Sequence, residues 1–290
     1  MTKNFRGMYT ALVTPFTANG ASVDSVSLKR LIDFQLSSGV TGFVVCGSTG
    51  EAATLSESEY IEVVQLVREH AADKPVVAGV SVSATDRAVA LAKLIEELGC
   101  DGILLATPPY NKPSQDGIIE HFVRVRAATQ LPIMAYNIPS RTGVAMHAET
   151  LGKLSREGII EAIKESSGSL DAFLDVRLAV GDSCVVLSGE DSMFSGTLAC
   201  GGQGIVSASA NVIPEEFCRL WEAWCDGNGS LATEIQLSIT PKIRKLFLET
   251  NPVPVKAILA KRGIIDSATV RLPLVPLTRE NYARVCEAFV

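Results

Sequence analysis

The chain has 290 residues, 47% of them apolar, and a formal net charge of −6 at pH 7. That is long for an ordinary domain but suits a single barrel, which typically runs to about 250 residues. The charge is spread without a basic stripe and the apolar runs are short and broken, which argues against nucleic acid, an anionic membrane surface or a transmembrane helix.

The opening Met1-Thr2-Lys3-Asn4-Phe5-Arg6-Gly7 lacks the apolar core of a signal peptide, so a soluble cytoplasmic protein is expected. From there short β-rich runs alternate with longer amphipathic stretches. The predicted strands are Tyr9–Val13, Gly42–Cys46, Val76–Val80, Gly102–Ala106, Ile133–Tyr136, Ile160–Ile163, Cys184–Leu187 and Gly204–Ser207. Most are continuously apolar, as strands covered on both faces are. Helices are predicted at Ser56–His70, behind a Ser-Glu-Ser-Glu cap, and at Asp86–Leu98, closed by Gly99. Further ones are expected at Gln115–Ala128, Ala148–Leu154, Leu170–Val180, Ser192–Ala199 and Pro214–Cys225. Eight strand–helix repeats predict an α/β protein of the (β/α)8 TIM-barrel class over residues 1–227. Residues 228–290 read as a polar-faced helical extension packed on the barrel, broken by Pro252, Pro254, Pro273 and Pro276.

Seven cysteines without a Cys-x-x-Cys pair are the pattern of reduced, mostly buried thiols. His70, His121 and His147 are too scattered to suggest a metal site, and His70 and His121 are expected on outer helix faces. Neither a Gly-x-Ser-x-Gly elbow nor a phosphate-loop or dinucleotide fingerprint occurs.

In such a barrel, functional groups gather at the C-terminal ends of the strands. The second strand leads into Gly47-Ser48-Thr49-Gly50-Glu51, which suits either a carboxylate cradle or an ordinary turn. The fourth leads into Thr107-Pro108-Pro109-Tyr110-Asn111-Lys112-Pro113-Ser114, a stiffened loop that fixes Tyr110 for catalysis, for subunit packing or for both. The fifth ends in Tyr136-Asn137-Ile138-Pro139-Ser140-Arg141-Thr142-Gly143, with a phenol for proton transfer and a guanidinium fork suited to a carboxylate. The seventh leads into Ser188-Gly189-Glu190-Asp191, and the eighth carries Val206. Lys164 closes the sixth. A lysine there is more often solvated than buried. When desolvated, however, an amine has a lowered pKa and can form a Schiff base with a carbonyl substrate. An amine, two phenols, two hydroxyls and a guanidinium at strand ends favour imine chemistry.

These segments resemble the family of pyruvate-dependent class I aldolases and lyases, the N-acetylneuraminate lyase family, essentially from end to end. The matching motifs include Ala11-Leu12-Val13-Thr14-Pro15-Phe16, the loop after the second strand, Pro108 to Gln115, and Tyr136 to Gly143. They continue through Ile163-Lys164-Glu165, Ser188-Gly189-x-Asp191, Asn251-Pro252-x-Pro254-Val255-Lys256 and Arg271-Leu272-Pro273-Leu274. The resemblance implies that Lys164 condenses with pyruvate to an imine and then an enamine, and that Tyr136 passes protons. It further implies that Ser48 relays protons between Tyr136 and Tyr110, with Tyr110 reaching in from an adjacent subunit. Thr49 would hold the pyruvate carboxylate, the backbone near Val206 would help seat pyruvate, and Gly189 would line the pocket of the second substrate. Arg141 would clamp the carboxylate of L-aspartate-4-semialdehyde.

The family works without an added cofactor and is usually a homotetramer. The Ser-Arg-Thr-Gly turn points to the branch that joins pyruvate to the semialdehyde in lysine and diaminopimelate biosynthesis. Ser48 stands where most members of that branch have threonine, and Gly-Ser-Thr-Gly-Glu also occurs in lyases that cleave N-acetylneuraminate or a 2-oxo sugar acid, the alternative reading. A barrel retained only for binding is a third reading, opposed by Lys164, Tyr136 and Tyr110 occurring together. Lysine-inhibited members use an Asn, a Glu and a Tyr where this chain has Ser83, Arg87 and Pro109, so insensitivity to lysine is expected.

Overall fold

The computed structural model describes residues 5–289. Among them eight strands close a barrel in sequence order: β1 (Gly7–Ala11), β2 (Gly42–Val45), β3 (Val76–Val80), β4 (Gly102–Ala106), β5 (Ile133–Asn137), β6 (Ala162–Glu165), β7 (Val185–Ser188) and β8 (Gly204–Ser207). The pairing of β1 with β2 is parallel, and so is each pairing from β3 through β8. The helices are α1 (Ser25–Ser37), α2 (Glu57–His70), α3 (Thr85–Glu97), α4 (Gln115–Arg126), α5 (Pro139–Thr142), α6 (Ala148–Arg156), α7 (Leu170–Val180), α8 (Phe194–Ala199), α9 (Pro214–Cys225), α10 (Gly229–Leu246), α11 (Val253–Lys261) and α12 (Arg279–Glu287). The fold is therefore the expected TIM barrel with helices at its C-terminal end. No helix among the described residues is long and apolar enough to cross a membrane.

The chain divides into two compact units, one made of Val77–Val206 with the start of the chain, the other of Met8–Val76 with the stretch from Ser207 onward. In the first, β4 to β7 are apolar and buried on both faces except at their ends, where Tyr136, Asn137, Lys164, Glu165 and Ser188 are also buried. In the second, α1 buries Leu28, Leu31, Ile32 and Gln35, a stripe at helical spacing. Gln35 accepts from Thr10 Oγ1 at 2.7 Å and donates to Ala210 O and Asn211 O, which satisfies a buried amide. Ser56 and Glu59 close a capping box on α2, as the sequence predicts.

Several boundaries differ from the sequence reading for identifiable reasons. β1 starts two residues early, where Gly7 N donates to Gln203 O, and ends two residues early, where Val13 N donates to the side chain of Asn211 instead of to a neighbouring strand. β2 stops at Val45 because Cys46 turns into the left-handed region at φ 51°. β6 runs past the apolar residues, so Lys164 and Glu165 lie within it. Helix α1 was not among the predicted elements, and α5 is a single turn started by Pro139 and capped by Gly143.

Two expectations are corrected outright. His121 is only 2% exposed, because Ile118, His121, Phe122 and Val125 form the buried stripe of α4. The C-terminal helices are not uniformly polar-faced, since α11 is buried from Val253 to Leu259, Lys256 included. Of the seven cysteines, all free, Cys225 is exposed, Cys200 half-buried and the remainder buried.

Candidate active site

In the first unit, β5 and β6 lie side by side in a register that pairs Tyr136 with Lys164 and Asn137 with Glu165. Lys164 is 6% exposed and Tyr136 5%, and Lys164 Nζ stands 4.3 Å from the centre of the Tyr136 ring. The strand thus holds an amine against the face of a phenol, where the ring's negative quadrupole faces the nitrogen. Next door, β7 ends at Ser188, and Gly189 N donates to Glu165 O at 2.7 Å. A Cβ added at Gly189 would lie 1.7 Å from Ser166 Oγ and 3.0 Å from Lys164 Cε, so only glycine leaves the lysine its present place. Ser166 Oγ is buried there without a hydrogen-bond partner among the described residues. Val206 is buried within β8.

The carboxylates around the lysine are shaped by burial. Burial pushes the Glu165 carboxyl above the usual range, against hydrogen bonds from Asn137 and Ser167 that favour its charged form. Glu190 is raised by burial first and by the neighbouring Asp191 next, and Lys164 opposes the rise. Of the two, Glu190 is the carboxylate whose charge the lysine offsets, and among the described residues no three His, Cys, Asp or Glu side chains gather as a metal site.

Arg141 and Tyr110 sit further out in the same unit. Arg141 is exposed on α5, whose turn is tightened by Thr142 Oγ1 donating to Ile138 O at 3.1 Å. Tyr110 is 90% exposed and adopts φ 73°, a left-handed conformation uncommon for a residue with a side chain. Its loop is braced rather than loose. Ser83 Oγ donates to Pro109 O at 3.1 Å, and Asn111 Nδ2 donates to Ser83 O at 2.8 Å.

In the second unit, the loop after β2 carries Ser48, half-buried, and Thr49, buried. Gly50 is hemmed in, because a Cβ there would meet Cys46 N and Leu12 O at 3.2 Å. Asn251 Nδ2 donates to Thr49 Oγ1 at 2.8 Å, and Thr14 Oγ1 donates to Gly50 O at 2.8 Å. Glu51, at φ 54°, ends the loop and is buried against Lys256 of α11. Each expected residue is thus found on the segment the sequence assigned to it. Lys164 lies against both the Tyr136 ring and Gly189, whereas Tyr110 and Arg141 stand at the surface.

The sequence reading gave no role to Asn137, Glu165, Ser166, Asn251 or Lys256. The available signals were a lysine in the otherwise apolar Val253–Ala260 run and two polar residues directly after Tyr136 and Lys164.

The model of the dihydrodipicolinate synthetase family matches residues 4–289. The chain is 43% identical over 282 residues to the 4-hydroxy-tetrahydrodipicolinate synthase of Citrifermentans bemidjiense, covering 97% of this chain and 96% of the relative. It is 42% identical over 284 residues to the enzyme of that name from Thermomicrobium roseum, covering 98% and 93%. Among solved structures, dihydrodipicolinate synthase from Aquifex aeolicus superposes with a TM-score of 0.94 at 38% identity, over 98% of this chain and 97% of that one. The chloride-inhibited enzyme from Acinetobacter baumannii, complexed with pyruvate, gives a TM-score of 0.95 at 32% identity over 99% and 98%.

Proposed function

This chain belongs to the dihydrodipicolinate synthetase family, and on that premise we propose that it condenses pyruvate with L-aspartate-4-semialdehyde to give 4-hydroxy-tetrahydrodipicolinate. Lys164 Nζ adds to the ketone carbon of pyruvate, and loss of water gives the imine. Loss of a methyl proton then gives the enamine, whose carbon attacks the aldehyde. The amine of the joined product closes onto the former ketone carbon and expels Lys164, so one molecule of water leaves per turnover. Tyr136, buried against the lysine, moves protons in imine formation and in ring closure.

The remaining roles follow from what each group has to offer. Thr49 Oγ1 already accepts from Asn251, so its hydroxyl hydrogen is the part left to donate to the pyruvate carboxylate. Ser48 relays protons between Tyr136 and Tyr110. An outward-facing Tyr110 on a braced loop suits a residue that completes the site of a neighbouring subunit, in a homotetramer built as a dimer of dimers. Arg141, exposed on its one-turn helix, receives the semialdehyde carboxylate, while Val206 and Gly189 line the pocket. In this reading residues 1–227 form the catalytic barrel and 228–290 a helical region packed on it, and the enzyme acts in the cytoplasm without an added cofactor. Ser83 is engaged with Pro109 and Asn111, and Arg87 would repel a lysine ammonium. Inhibition is therefore absent at millimolar lysine, and a clear inhibition curve would contradict that part.

The observation that carries the proposal is Lys164, buried in β6 with its nitrogen over the Tyr136 ring. Incubation with pyruvate and borohydride, followed by peptide mapping, is expected to give a reduced adduct on Lys164. An unmodified Lys164 would overturn the imine reading. Turnover with L-aspartate-4-semialdehyde against sugar aldehydes then tests the acceptor, and faster turnover of a sugar aldehyde would replace the synthase reading by the aldolase one.

A further inference from the structure

Asn137 and Glu165 directly follow Tyr136 and Lys164, and the register that pairs the catalytic residues also pairs these two. Both are buried. Asn137 Nδ2 donates to Glu165 Oε2 at 2.8 Å, and Ser167 N donates to Glu165 Oε1 at 2.8 Å. Asn137 Oδ1 accepts from Met146 N at 2.9 Å. The bonds therefore run without a gap from the segment after α5, through the ends of β5 and β6, into the loop that follows. Backbone contacts run alongside, with Ser166 N donating to Asn137 O at 2.8 Å and Gly189 N donating to Glu165 O at 2.7 Å.

A buried carboxylate is a costly way to join two strands, because its desolvation is offset only in part by its hydrogen bonds. Two apolar side chains would fill the strand ends at less cost, but they would not fix an angle. Hydrogen bonds do, because they weaken steeply away from alignment. Here each oxygen of Glu165 is committed to one donor, Asn137 Oδ1 accepts from Met146 N, and Asn137 Nδ2 divides its hydrogens between Glu165 Oε2 and, at a longer 3.4 Å, Met146 O. The two residues that carry this alignment are those next to the amine and the phenol.

We propose that Asn137 and Glu165 form a positioning clamp that holds Lys164 Nζ over the Tyr136 ring and so sets the rate of imine formation. The clamp rests on the imine reading of the site. Neither residue is asked to touch pyruvate. Their effect reaches the substrate through the residue before each of them.

The polarity of the clamp supplies its own test. Glu165 only accepts, whereas Asn137 donates to Glu165, accepts from Met146 N and donates more weakly to Met146 O. In Glu165→Gln the new amide must face a donor on one side, either Asn137 Nδ2 or Ser167 N. In Asn137→Asp two carboxylates face each other. The exchange Asn137→Asp with Glu165→Gln restores the pairing between the two strands with the same net charge and gives up only the long contact to Met146 O. The glutamine then donates to the aspartate and accepts from Ser167 N, while the aspartate's other oxygen accepts from Met146 N.

The measurement is the rate of borohydride-trapped pyruvate adduct on Lys164 at saturating pyruvate, together with KM for pyruvate. Each single variant is expected to trap about 100-fold more slowly, the scale of a misplaced reacting group, with KM little changed. The exchanged pair should return to within roughly fivefold of the unaltered protein, because the bond between the two strands and those from Met146 N and Ser167 N are made again and only the long contact to Met146 O is missing. Should a single variant not fold, Glu165→Asp keeps the charge but is too short to span both donors, and the same slow trapping is expected of it. Trapping at the original rate in folded single variants, or no recovery in the exchanged pair, would overturn the clamp. If the unaltered protein gives no adduct, the imine reading fails and the clamp with it. An adduct that forms normally in the unaltered protein and equally fast in the variants defeats the clamp alone.

Discussion

Lys256 Nζ stands 2.5 Å from Glu51 Oε1, and both side chains are sealed from solvent. Neither charge is left with a single partner. Nζ also donates to Thr269 O at 2.9 Å and lies 4.1 Å from the centre of the Phe16 ring, while Glu51 Oε2 accepts from Arg271 N at 3.0 Å. Burial lowers the Lys256 ammonium to about 8, against the opposing pull of Glu51. Glu51 ends the loop that carries Ser48 and Thr49, so the pair anchors that loop to α11.

Removing one member leaves a buried charge without its counter-ion. Lys256→Met is expected to cost roughly 3–5 kcal/mol of stability in urea unfolding and to raise KM for pyruvate as the Thr49 loop loosens. Replacing both residues with apolar ones should recover most of the stability, because the desolvation penalty disappears with the charges. A single variant as stable as the unaltered protein would mean that solvent reaches the pair.

The barrel was legible because its strands are apolar on both faces and its helices carry stripes at helical spacing, signals that do not depend on partners. Lys164 was legible as a polar residue ending an apolar run. The same signal misplaced the end of β6, since polarity marks a strand end only when the polar groups reach water, and here Glu165 is satisfied inside by Asn137 and Ser167. His121 was misread for a related reason. Its helix buries it, but Thr85, the residue that makes burial acceptable, lies 36 positions away. Lys256 was invisible as a buried cation because its counter-ion, Glu51, is 205 residues distant. What the sequence hid was pairing between distant polar residues, which no local period records.

Gly189 gives a steric test of the lysine's position. Gly189→Ala would set a methyl 1.7 Å from Ser166 Oγ and 3.0 Å from both Ser166 Cβ and Lys164 Cε. Overpacking of this kind typically costs about 1–3 kcal/mol. Its larger effect should fall on trapping of pyruvate, slowed by about 100-fold as the lysine stem is pushed aside. Adding Ser166→Gly removes two of the three close contacts, so the double variant is expected to regain part of the rate. Trapping by Gly189→Ala at the unaltered protein's rate would show that the lysine moves without loss.

Tyr110 offers a test of shared sites. If it completes a neighbour's site, Tyr110→Phe and Lys164→Ala protein should each be nearly inactive, yet a co-assembled mixture should regain activity. Some sites in mixed assemblies then combine a native lysine with a native tyrosine. The fold of the single chain should be unaffected by Tyr110→Phe, because the side chain is 90% exposed there. A mixture no more active than its parts would place Tyr110 outside its neighbour's chemistry.

His121 predicts the acid limb of stability. Its Nδ1 meets Thr85 Oγ1 at 3.0 Å, and burial lowers its pKa from 6.5 to about 4. Between those values the unfolded chain takes up a proton that the folded protein refuses. The stabilisation is complete above pH 6.5, declines as pH falls, and is gone below about pH 4. The gap corresponds to roughly 3 kcal/mol. The Glu59–Arg271 pair does not share this window, because hydrogen bonding to Arg271 lowers Glu59 from 4.5 to about 2 and its contribution is lost only below pH 4.5. His121→Phe should therefore cost about 1 kcal/mol at pH 7, where Thr85 loses its partner, yet be about 2 kcal/mol more stable than the unaltered protein near pH 4, because only the latter carries the proton-linked loss. Urea unfolding of the two proteins at several pH values measures the difference directly. Parallel stability curves across pH 4–6.5 would mean that the buried ring takes up its proton without unfolding.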